Sequence, residues 1–127
     1  MNNSVPETGV APPAARYALA MSVPAGSAMF VSSGIVGERP DGSISDDIGG
    51  QAAEVWRSIA TLLASAGFVT TDIVSYTTYA VVGYDLGNVM TARDAALGGH
   101  LCASTLIPVP ALARPQWLVE IAVIAAR

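Results

Sequence analysis

Hydrophobic and polar positions along the chain follow two periods, and each predicts an element. "RYALAMS" and "SAMFVSSG" are short apolar runs separated by "VPAG", whose Pro and Gly signal a turn, so they are expected to form an antiparallel hairpin closed by Gly34. "IVGERPDGSISDDIGG" carries the Gly, Pro, Asp and Ser of a connecting loop, with Asp46 and Asp47 as helix N-cap candidates. In "QAAEVWRSIATLLASAG", Val55, Ile59, Leu62 and Leu63 recur at helical spacing, and Gly67 suits the end of the helix.

The second half alternates again. "TDIVSYTTYAVVG" is rich in β-branched and aromatic residues and predicts a long central strand. A weaker helical pattern interrupted by Gly87 spans 85–97, and the strands "CASTLIPV" and "WLVEIAVIAA" follow, joined by the proline-bearing "PALARPQ". The order is β-β-α-β-α-β-β, an α+β domain over 16–127 in which two helices back one face of a single sheet. Residues 1–15, rich in Pro, Ala and Asn, read as a flexible arm. The sheet's other face needs an apolar partner, and a neighbouring subunit would provide it.

One position breaks the pattern. In "WLVEIAVIAAR" the last strand looks apolar on both faces, yet Glu120 lies between Val119 and Ile121. A carboxylate there must be paired, hydrogen-bonded or chemically employed, because an unpartnered buried charge is costly.

Composition narrows the chemistry. The chain has 127 residues, 52% hydrophobic and only 13% charged, which favours a single domain that buries further surface in an oligomer. A net charge of -4 argues against nucleic acid as a partner, since phosphate recognition needs clustered cations. All six basic residues are scattered arginines, and with no lysine the chain can form no Schiff base, hold no covalent pyridoxal phosphate and build no Walker-type phosphate loop. One Cys and one His exclude an internal disulfide and a Cys/His zinc cage, so no metal or other cofactor is expected. No apolar run reaches membrane-spanning length and "MNNSVPETGVAPPAAR" lacks the order of a signal peptide, so a cytoplasmic location without membrane contact is expected.

The element order, together with "FVSSG", "DIVSYTTYAVV" and the ending "CAST...LVEIAVIAA", resembles the Rid/YjgF family of reactive-intermediate deaminases over about 17–126. The resemblance implies a YjgF-like (chorismate-mutase-like) fold and a homotrimer whose sheets form a central barrel, with small-molecule pockets at the subunit interfaces. It also implies hydrolysis of reactive enamines and imines. Carried onto this chain, it marks Tyr17, Ser33, Gly34 and Glu120 as matching family site residues, with Glu120 holding or activating a water. The departure is Ala103, which stands where family deaminases have an arginine that grips the substrate carboxylate; Met90 stands in the place of a family asparagine.

The expected function is therefore proton transfer or hydrolysis on a small enamine, imine or carbonyl intermediate, outside the standard amino-acid imine deaminases. Glu120 would be the acid/base, the Ser33-Gly34 turn would stabilise developing negative charge, and Tyr17, Ala103 and Thr105 would shape the pocket. A non-catalytic metabolite-binding trimer and a structural trimer remain alternatives. For Glu120 the plain alternative is a buried carboxylate that only hydrogen-bonds backbone. Cys102 as nucleophile, His100 as a solvated or capping residue, and Arg114 as a substitute cation are the secondary candidates.

Overall fold

The computed structural model describes residues 1–127. Its strands are β1 (Asn3–Ser4), β2 (Met21–Ser22), β3 (Met29–Val31), β4 (Ile35–Val36), β5 (Ile73–Val81), β6 (Ala103–Val109) and β7 (Val119–Ala126), and its helices are α1 (Ile48–Ser65) and α2 (Leu86–Leu97). The main sheet runs β3-β7-β5-β6, with β4 continuing the β3 edge alongside β7. β7 is central and antiparallel to β3, β4 and β5, whereas β5 and β6 are parallel and joined through α2.

Both helices begin and end as their flanking residues dictate. Asp47 accepts a hydrogen bond from the Gly50 N–H at 2.8 Å, and Asp85 accepts one from the Gly87 N–H, so each carboxylate occupies donors left unpaired in a first turn. α1 turns Ala52, Val55, Trp56, Ile59 and Leu63 onto the sheet. α2 buries only Val89 and Leu97, in keeping with its weak pattern.

On β7, Val119, Ile121, Val123 and Ala125 point into this core, while Glu120, Ala122 and Ile124 point the other way. The same alternation divides β5, where Tyr76, Thr78 and Ala80 lie under the helices. No second layer covers the opposite face within the chain. Val31, Ile107 and Ile124 on it remain exposed.

The N-terminal third differs from the sequence expectation. Only Met21–Ser22 of "RYALAMS" forms a strand, and it pairs with Asn3–Ser4 rather than with Met29–Val31. Part of the expected arm is thus tied down: the Asn2 side chain donates to the Ala126 carbonyl at 2.7 Å, and the Val5 N–H donates to the Ala20 carbonyl. The turn signal in "VPAG" reverses the chain, but β3 finds its partner in β7, where Phe30 reaches the core.

Gly34 does not simply end a strand. Between the pairs Val31–Ile124 and Ile35–Ile121 the β3–β4 side has one residue more than β7, which is a β-bulge. Ser32 bridges the gap, since its hydroxyl oxygen accepts the Val123 N–H at 3.0 Å while its own N–H donates to the Val123 carbonyl.

One buried amide fastens the helix layer to the sheet. Gln51 is 1% exposed; its Nε2 donates to the carbonyls of Ser45 and Gln116, and its Oε1 accepts from the Leu118 N–H. Gly37 packs so closely on it that a Cβ there would lie 2.7 Å from the Gln51 Cα. Gln51→Leu keeps the volume but strands these backbone groups, so denaturant titration should show a loss of about 2–3 kcal/mol.

Candidate functional site

Glu120 sits in a cross-strand row with Val36 on one side and Tyr79 on the other. The bulge brings Gly34 against it: a Cβ at Gly34 would come within 2.8 Å of the Glu120 Cγ and closer still to the carboxylate, so only glycine leaves the carboxylate this place. The chain's two ion pairs, Glu54–Arg57 and Arg93–Asp94, leave Glu120 without a cation. Beside it, the exposed Ser33 and Gly34 keep backbone N–H groups that meet no backbone acceptor. A half-buried carboxylate next to free N–H donors can accept a proton while the donors hold a developing oxyanion.

Tyr17, Ala103 and Thr105 lie elsewhere. Ala103 is level with Ser75 and Ile124, and Thr105 with Thr77 and Ala122, so both share the uncovered face with Glu120. They are nevertheless on the strand beyond β5. At ordinary strand spacing, two strands across and four residues along, Ala103 is roughly 16 Å from Glu120. Tyr17 belongs with Ala103, because the next residue, Ala18, bridges to Ala103 and donates its N–H to the Cys102 carbonyl. One chain therefore carries two separate groups of the expected site residues: Ser33, Gly34 and Glu120 on the β3–β4 side, and Tyr17, Ala103 and Thr105 on the β6 side.

The tyrosine opens onto a cavity of about 320 Å³ under α2, whose walls include Tyr76, Thr78, Val89, Met90, Arg93, Ser104 and Leu106. Met90 therefore does line a pocket. Arg93 was not singled out in the sequence; it sits in a helix with little amphipathic pattern, where an arginine reads as solvent-facing. Its side chain is only 11% exposed and contacts Asp94 Oδ1 through Nε and Nη2, both at 3.0 Å. A second hollow, between α1 and α2, is walled largely by alanines and Trp56 and offers as charge only Arg57, already paired with Glu54.

The secondary candidates have structural roles. His100 Nε2 bonds the Ile73 carbonyl at 2.8 Å, steadying the entry to β5 beside its register shift. The Arg114 guanidinium stacks over the Trp117 ring at 5.1 Å and is absent from the walls of the Tyr17 cavity. No group of three or more His, Cys, Asp and Glu side chains could hold a metal.

Cys102 is 1% exposed, and burial pushes its thiol from 9.0 up to about 12, against the smaller opposing pull of Arg93. At pH 8 its thiolate should be scarcer than that of the unfolded chain by about 10³, so iodoacetamide should label it only after denaturation. The folded thiol keeps its proton above the pH at which the unfolded thiol loses it. Its contribution to stability is therefore full below pH 9.0 and lost as pH rises toward 12, and Cys102→Ala should remove that part of the alkaline slope.

Solved structures share this architecture. A Rid-family protein of unknown function, YyfB from Yersinia pestis, superposes with a TM-score of 0.83 at 24% identity over 99% of this chain and 98% of its own. The yjgF gene product of E. coli gives 0.73 at 25% identity over 87% of each chain. A Mycobacterium tuberculosis member of the YjgF/YER057c/UK114 family gives 0.68 at 26%, over 87% of this chain and 86% of its own. No curated protein is significantly similar in sequence. Residues 8–127 match the family described as Endoribonuclease L-PSP, and with that match over nearly its whole length the chain belongs to the Rid/YjgF family.

Proposed function

We propose that the protein is a small-molecule enzyme acting on a reactive enamine, imine or carbonyl intermediate by proton transfer or hydrolysis, with Glu120 as the acid/base. The observation that carries this reading is the clearance at Gly34, which leaves room for an unpaired carboxylate beside free backbone donors. A carboxylate serving only the fold would be expected to bond backbone, and β7 already has its ladder partners on both sides.

In the reaction, Glu120 takes a proton from a carbon or from an attacking water, and the Ser33 and Gly34 N–H groups steady the negative charge that develops. The divided arrangement of site residues supports a pocket between subunits. In a homotrimer the β6 edge of one chain, with Tyr17, Ala103 and Thr105, lies beside the Ser33, Gly34 and Glu120 group of the next, and the uncovered sheet faces close on one another as a barrel. A head-to-tail contact of this kind closes into a ring. Ala103 presents a methyl where the deaminases that the sequence resembles grip a carboxylate, which places the substrate outside their usual range. Ribonuclease activity, which the family's description suggests, is disfavoured by the net charge of -4.

Light scattering should give about three chains per particle; a stable monomer would leave the two groups apart and sink the interfacial site. On one preparation of Glu120→Gln, turnover of an enamine substrate should fall by about 10²-fold or more while particle mass and thermal midpoint hold. Unchanged turnover with an earlier melt would make Glu120 structural instead.

A further inference from the structure

The hollow between α1 and α2 contains a donor that the fold leaves unanswered. Alanines of both helices, among them Ala53, Ala60 and Ala95, line a space of about 350 Å³ together with Ile59 and Trp56. Small side chains alone would mark only a close approach of two helices. Trp56 adds something further: it is 4% exposed, and its indole Nε1–H meets no acceptor in the chain. A buried indole N–H ordinarily finds a partner, because its desolvation is otherwise uncompensated. Trp56 takes part in the walls of no other cavity, so this hollow is the space from which an acceptor can reach it.

The donor is also held in place. The Trp56 ring meets Tyr76 edge to face, 5.3 Å between centroids and 81° between planes, so the indole is braced against β5 from below. Charge is nearly absent from the walls. Arg57 contributes the one ionic group, and both its Nε and its Nη2 already bond the Glu54 carboxylate. The half-buried Thr70, in the turn before β5, is the remaining polar residue. One fixed neutral donor in an otherwise apolar space calls for an uncharged ligand with a single good acceptor and a compact hydrocarbon body. At about 350 Å³ the space is at the small end of ligand pockets.

We propose that this hollow is a second ligand site, for a small neutral carbonyl compound whose oxygen accepts the Trp56 indole N–H while its hydrocarbon part lies against the alanines of α1 and α2. The inference goes beyond the proposed function and does not rest on it: the hollow is on the helical side of the sheet, whereas Glu120 points to the face that no helix covers. The site therefore stays open to solvent when the uncovered sheet faces are closed by other subunits.

The test uses the intact protein, as assembled in solution, with cyclic ketones of five to eight carbons as probes and cycloalkanes of the same ring size as controls without the oxygen. The chain has two tryptophans, so NMR shows two indole N–H resonances, and the one missing from Trp56→Phe belongs to Trp56. The ketones should move that resonance saturably, in the direction of a newly formed hydrogen bond, and a cycloalkane at the same concentration should not. Trp56→Phe keeps an aromatic ring against Tyr76 but removes the donor, and should weaken ketone binding by about threefold to tenfold. Ala95→Leu, at an exposed position on α2, fills the hollow from its rim with a good helix former and should weaken binding by tenfold or more with the fold intact. This second variant decides the matter if Trp56→Phe fails to fold. A Trp56 resonance that the ketones leave in place or that the cycloalkanes move equally, or undiminished ketone affinity in Ala95→Leu or in a folded Trp56→Phe, would overturn the proposal. None of these readouts involves turnover, so loss of activity in Glu120→Gln, or its absence, bears on the catalytic reading alone.

Discussion

Everything in the fold is referred to β7, the central strand whose partners along both edges are antiparallel to it. Antiparallel pairing to β3 and β4 on one side and β5 on the other fixes its register, and strict alternation then sends each side chain to one of two faces. Val119, Ile121, Val123 and Ala125 receive the helices. Glu120, by sitting between two of them, is turned to the face that no helix covers. A slip of one residue would bury the carboxylate under α1 and expose the core residues, so the apolar pattern that stabilises the domain also holds the carboxylate in place.

The bulge at Ser32–Gly34 is the second half of that arrangement. A regular β3–β4 strand would pass Glu120 with side chains packed over it. One extra residue, a serine hydroxyl standing in for backbone and a glycine without a Cβ together let the carboxylate pack against Gly34, where the neighbouring N–H groups have no backbone acceptor. The Tyr17 cavity is of a different kind: its polar groups come from α2 and from the helix-facing side of β5 and β6, and so belong to the covered face. Two chemically distinct spaces thus flank a single sheet.

Much of this was legible in the sequence, and what was not has identifiable causes. The helices, the Asp47 cap of α1, the long strand β5 and the odd carboxylate in β7 follow from periodicity and cap chemistry, which are local. The hairpin expectation failed because "RYALAMS" and "SAMFVSSG" are both good strands joined by a good turn, and nothing local says that β3 prefers a strand some ninety residues later. Gly34 could be read as a strand end or as a site residue; only the register of three strands shows it as a bulge. Arg93 was missed because an arginine in a helix normally faces solvent, and its burial depends on how α2 packs over β5 and β6. The assignment of Tyr17, Ala103 and Thr105 together with Glu120 rests on resemblance, and within one chain the geometry keeps them on separate strands.

The centrality of β7 also has a consequence for how the protein is made. Synthesis runs from the N-terminus, and β7 follows every strand it pairs with, so β3, β4 and β5 must wait on the ribosome with edges unpaired and apolar residues uncovered. Even Asn2 waits, since its 2.7 Å bond is to the Ala126 carbonyl at the end of β7. A chain with such distant pairings closes slowly, and the parallel β5–α2–β6 unit, formed from nearby residues, is the only part of the main sheet able to assemble beforehand. Truncation within the last strand would therefore leave an incomplete sheet with three strands unpaired along one edge, a species for chaperones rather than a weakened domain.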